Sequence, residues 1–76
     1  MDGFERRKEQ KKRDILEAAL RLFMGSGVQG VAITAIARQA QVSQVTIYNY
    51  FGSKDELARA VFKFYVDQVW AEQKQG

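Results

Sequence analysis

Apolar residues recur along this chain at helical rather than strand spacing. From about Arg6 to Ser26, Ile15, Ala19, Leu22 and Phe23 stand at i, i+4, i+7 and i+8, with Leu16 and Leu20 widening the stripe. That is one face of an amphipathic helix. Gly25 and Gly27 follow the last periodic residue, where a left-handed stop is easiest for glycine, and Gly27-Val28-Gln29-Gly30 makes a turn. Ile33, Ile36, Ala37 and Ala40 then mark a second, short helix over about 33–40. Ser43, whose hydroxyl can accept from amides of the following turn, opens a third over about 43–51. Ile47 and Phe51 lie one turn apart on its inner face, and Gly52 ends it. Ser53-Lys54-Asp55-Glu56 forms a capping box with two acids on the positive helix end. A fourth helix continues through Leu57, Val61, Phe64, Tyr65 and Trp70.

Two short and two long helices predict an all-α unit, with Ile15, Leu22, Phe23, Ile36, Ile47 and Phe51 in its core. The two short helices are joined by only Gln41 and Val42. Elements of about two turns so connected must cross steeply, the helix-turn-helix arrangement whose second helix enters the major groove of DNA. The late apolar residues Phe62, Phe64, Tyr65, Val66, Val69 and Trp70 exceed what three short helices can cover. Some of them are expected to be exposed or paired with a second copy.

Charge adds a partner class. The 76 residues hold 12 Lys plus Arg against 9 Asp plus Glu, a net charge of +3. Residues 1–13 contain six bases (Arg6, Arg7, Lys8, Lys11, Lys12, Arg13) and three acids (Asp2, Glu5, Glu9), whereas residues 14–76 contain six of each sign. The whole excess lies at one end, the asymmetry of an arm that binds nucleic acid or an anionic surface. Without Cys there is no disulfide framework or thiolate site, and without His the usual general base and commonest metal ligand are missing. No catalytic residues, metal or cofactor are expected, and Asp55 and Glu56 are caps rather than a paired-carboxylate site. No apolar run approaches the ~20 residues that span a bilayer. A cytoplasmic, non-enzymatic protein is expected, in one small domain that buries about 60% of its unfolded surface.

From Ser26 to Ser53 the only charged residue is Arg38. Such a stretch is either the core of a small domain, where charges are expensive to bury, or a contact surface. The third helix favours the second reading, because it carries Ser43, Gln44, Thr46, Tyr48, Asn49 and Tyr50 within two turns. A solvated face without a partner would use Lys and Glu. Uncharged polar groups and tyrosines suit a surface that reads base edges, while flanking bases attract phosphate. Lys54, at a helix start beside free amides, has its own reason to sit near a phosphate. Tyr48 and Tyr50, two residues apart, point to different faces, so at least one is a contact. A rival assignment takes Arg6 to Phe23 as a basic amphipathic helix that binds an anionic membrane or a partner protein. Glu5, Glu9, Asp14 and Glu17 interrupt its basic face, and the remaining chain needs its apolar stripe.

Arg13-Asp14-Ile15-Leu16-Glu17-Ala18-Ala19, Leu22-Phe23 and Gly27 resemble the first helix of the TetR (tetracycline-repressor) family of bacterial transcription regulators. The resemblance continues through Ile36-Ala37, Ala40, Val42-Ser43, Thr46-Ile47-Tyr48, Tyr50-Phe51 and Ser53-Lys54-Asp55-Glu56-Leu57. It implies a three-helix, homeodomain-like helix-turn-helix head over 13–53, a basic arm over 1–12, and a fourth helix over 54–76. That helix would lead to a C-terminal domain, absent here, that dimerises the protein and holds a small-molecule inducer. The function implied is ligand-responsive repression through a palindromic double-stranded operator bound by a homodimer. By position, Thr34, Gln44, Val45 and Tyr48 would face bases. Ser43, Thr46, Tyr50 and Lys54, with Arg13 from the first helix, would hold phosphates. Asn49 lies between the two sets.

The chain departs from the family pattern at three places. Gln41 stands where the turn usually has glycine, so it is expected to take a positive φ at a cost of about 1 kcal/mol. Ala32 replaces the usual Thr or Ser cap of the second helix, giving up about 1 kcal/mol. Val45 replaces a small residue, so the family's base preference cannot be carried over.

Overall fold

The computed structural model describes the backbone of residues 3–75 and the side chains of residues 7–71. Four helices follow one another: α1 (Gly3–Ser26), α2 (Ile33–Ala40), α3 (Gln44–Phe51) and α4 (Lys54–Gln75). The first helix begins earlier than its apolar stripe suggests. The basic segment expected as an arm is therefore helical from Gly3 onward, continuous with the helix that packs the domain. Residues 1, 2 and 76, and the side chains of Glu5 and Arg6, lie outside the described set.

Each helix supplies one of the largest fully buried side chains: Ile15, Ile36, Ile47 and Leu57. Around them close Ala18, Ala19 and Phe23 of α1, Val31 and Ile33 before and at the start of α2, Ala37, and Val61 of α4. Leu22 and Phe51, expected at the centre, pack against this cluster while only partly buried. Val31, which belongs to no helix, is 5% exposed and closes the core from the loop. Among the described residues no polar or charged side chain is buried. Whatever polar chemistry the domain performs is therefore done at its surface.

The helix ends show why the elements stop where they do. Gly27 takes φ 80° after α1, and its amide donates to the Phe23 carbonyl at 2.7 Å, the single-bond left-handed stop. Gly30 is required for a different reason: a Cβ there would lie 2.6 Å from the Ser26 carbonyl oxygen, because the loop turns back over the end of α1. The turn between α2 and α3 is a Schellman stop. The Val42 amide donates to the Ala37 carbonyl at 2.9 Å and the Gln41 amide to the Arg38 carbonyl at 3.2 Å.

Gln41 occupies the left-handed position of that stop, with φ 61° and ψ 44°. The penalty expected for a non-glycine residue there is thus present. Gln41→Gly should raise stability by about 1 kcal/mol, or about 4–8 °C in melting temperature for a domain of this size. A thermal melt followed by circular dichroism checks this, and a lowered midpoint would refute it. At the other end of α2, Ala32 is extended and makes no side-chain cap bond.

Candidate nucleic-acid interface

The second short helix of the turn motif is held by its cap and one anchor. The Ser43 hydroxyl accepts the Thr46 amide at 3.1 Å and lies 3.0 Å from the Thr46 hydroxyl. When Ser43 donates across that second contact, the Thr46 proton is free to point outward to an acceptor such as a phosphate. Ile47, 1% exposed, is the buried residue of α3 and fixes its inner side. The outer side then presents Gln44, Val45, Tyr48 and Asn49, all exposed. Val45 is 66% and Tyr48 44% exposed, so neither serves the core.

The two tyrosines divide as their spacing suggested. Tyr48 faces solvent, whereas Tyr50 packs partly against the core with its ring edge-on to Phe51 at 6.4 Å. Among the described residues, Tyr50 also lines a cleft together with Arg7, Lys8 and Lys11. The Lys12 ammonium stands 6.0 Å from the centre of the Phe51 ring, at the outer limit of a cation–π contact. The carboxyl end of α3 is therefore bordered by bases from the first turns of α1.

Glu9, Asp14 and Glu17 of α1 point elsewhere. Asp14 accepts from the Gln10 side-chain amide at 2.9 Å and, with Glu17, lines a separate cleft against Gln39, Ala40 and Gln41. Glu9 borders the groove between α1 and α4. Arg13 belongs to that groove too, beside Phe64, Asp67 and Gln68, and its guanidinium is 3.5 Å from the Glu17 carboxylate. The structure thus gathers Arg7, Lys8 and Lys11 at Tyr50 and leaves Arg13 on the α4 side. The sequence signal for this set was available: positions 7, 8 and 11 share a helix face, and position 13 does not.

Thr34 is exposed on the first turn of α2. Lys54 opens α4, half-buried, directly after Ser53, whose hydroxyl accepts the Glu56 amide at 3.2 Å. The serine half of the expected capping box is formed. The Glu56 carboxylate is 4.0 Å from Arg59.

A family profile for bacterial regulatory proteins of the tetR family matches residues 15–61, which run from the α1 anchor Ile15 to the α4 core residue Val61. The chain belongs to the tetR family. It is similar to the HTH-type transcriptional regulator HbdR of Aromatoleum sp. (strain CIB), at 39% identity over 59 residues, 78% of this chain and 26% of that protein. The HTH-type transcriptional regulator BetI of Burkholderia thailandensis is 28% identical over 64 residues, 84% of this chain and 33% of that protein. Among solved structures, HlyIIR, a hemolysin II transcriptional regulator, superposes with a TM-score of 0.74 at 38% identity, over 76% of this chain and 32% of that one. The all-α helix-turn-helix fold of the tetR DNA-binding head is thus shown. The chain spans about a quarter to a third of the length of these relatives.

The rival membrane assignment loses its apolar surface in this fold. Of the stripe it would insert in lipid, Ile15, Ala19 and Phe23 are buried in the core, and Leu16, Leu20 and Leu22 pack partly buried against it. Among the described residues no helix is long and apolar enough to cross a membrane.

Proposed function

We propose that this tetR-family chain is the DNA-reading head of a transcription regulator, with α3 laid in the major groove. One observation carries the reading: α3 turns Ile47 into the core and presents an uncharged polar face, while the bases of α1 border its far end. Gln44, Val45 and Tyr48, with Thr34 from α2, face base edges. Ser43, Thr46, Tyr50 and Lys54 meet phosphates, and Arg7, Lys8 and Lys11 add the attraction that Arg13 is poorly placed to give. Such a division follows from the chemistry, since phosphate contacts position a protein and base contacts choose the sequence.

The regulator is a cytoplasmic, ligand-responsive repressor. It binds a palindromic operator as a homodimer, whose dimer contacts and inducer pocket are formed by sequence outside these 76 residues. A net charge of +3 supports the dimer, because so small an excess gives each head modest affinity. Coupling two heads can raise avidity by ~10² or more.

A mobility-shift titration on a duplex from upstream of its own gene tests the reading. Tyr48→Ala should weaken the specific shift by about 1–3 kcal/mol, roughly 5- to 150-fold, while weak binding to unrelated duplex persists. Equal affinity of Tyr48→Ala and the unaltered chain for the specific duplex would exclude Tyr48 from base reading. The absence of any salt-sensitive shift would remove the function.

A further inference from the structure

Val45 is the one side chain on the outer face of α3 that can neither donate nor accept a hydrogen bond, and it is 66% exposed. Its neighbours on that face, Gln44, Tyr48 and Asn49, are all polar. A β-branched residue at an exposed helical position lowers helix propensity, and a position that needs only solubility is better filled by Lys or Glu. Val45 is also separate from an apolar groove elsewhere on the domain. That groove is lined by Leu20, Phe23, Met24 and Val28 with Ala58, Val61, Phe62 and Tyr65 of α4, and no α3 residue is among them.

Resting on the DNA-binding reading, we infer that Val45 selects a pyrimidine bearing a 5-methyl group. Among the groups that distinguish the four base pairs in the major groove, the thymine methyl is the apolar one. Valine in a helix is largely confined to one χ1 rotamer, so its two methyls are presented with little entropy left to lose. At a cytosine the same side chain faces a C–H and leaves a gap. At a purine its bulk meets N7 with no bond to offer. Because the recognised feature is the methyl and not the base, 5-methylcytosine should substitute for thymine as far as this contact is concerned. Cytosine methylation within the half-site would then strengthen binding at that position.

The probe is a pool of duplexes with a randomised centre, from which the chain enriches its preferred sites. The enriched sites are then remade with single thymines replaced by deoxyuridine, which removes only the methyl, or by 5-methylcytosine opposite guanine. We expect one position per half-site where uridine lowers affinity about fourfold, the effect of one lost methyl burial. At that position 5-methylcytosine should exceed cytosine by a similar factor. Val45→Ala should remove both differences while keeping the fold, as judged by an unchanged thermal midpoint. Enrichment of sites that show no uridine penalty at any position, or a penalty that survives in Val45→Ala, would overturn the inference. Failure to enrich any site would instead overturn the DNA-binding reading itself.

Discussion

Ile47→Ala should remove a large share of the domain's stability, although only three carbon atoms are removed. Ile47 is the fully buried side chain of α3 and shares one core cluster with Ile15, Ile36 and Leu57 of the other three helices. Truncating a buried isoleucine costs about 2–5 kcal/mol, because the lost burial is joined by a cavity that the neighbours cannot fill. A domain of 76 residues has about 4–11 kcal/mol in total at ~0.05–0.15 kcal/mol per residue. The melting midpoint should fall by about 10 °C or more, and binding of any DNA should fall with it. Val45→Ala on the same helix is the contrast, since an exposed truncation usually stays within about 0.5 kcal/mol. Circular-dichroism melts of the two variants decide the matter. Equal midpoints would mean that α3 is not held by Ile47.

The second large effect concerns charge. Lys8→Ala together with Lys11→Ala should weaken binding to any duplex by roughly 10- to 60-fold at ~0.1 M salt, and should reduce the slope of log K against log salt by about 1.8. Both residues line the cleft beside Tyr50, where no acid contributes among the described residues. Arg13→Ala should change the slope little, because Arg13 faces the α4 side beside Asp67 and Glu17. The exposed pairing with Glu17 is itself weak, so the distinction rests on position rather than on a locked ion pair. Fluorescence anisotropy across a salt series measures all three slopes. A larger loss for Arg13 than for the lysine pair would reverse the assignment.

These two expectations mark different degrees of legibility. The buried set came largely from spacing, because a helix must turn one face inward and Ile15, Ile36 and Ile47 recur at the period that does so. Leu22 and Phe51 were expected deeper than they are. Periodicity locates a face, but depth depends on which neighbouring helix covers it. Val31 lay outside any periodic run, so nothing local marked it as core. The exposure of Phe62, Tyr65 and Trp70 was anticipated from the excess of apolar residues over available partners, and it is found.

The candidate site divides the same way. The cap at Ser43, the left-handed stop at Gln41 and the uncharged run of α3 are local properties, set by short-range hydrogen bonding and backbone sterics. The chain alone therefore specified them. The basic excess was equally plain in composition, but its placement was not. Arg7, Lys8 and Lys11 share a helix face that Arg13 does not, but only the packing of α1 against α2 and α4 decides that this face stands beside Tyr50. Charge is a sum over residues and can be counted along the chain. A binding surface needs those charges at particular distances, and helix packing alone sets distance.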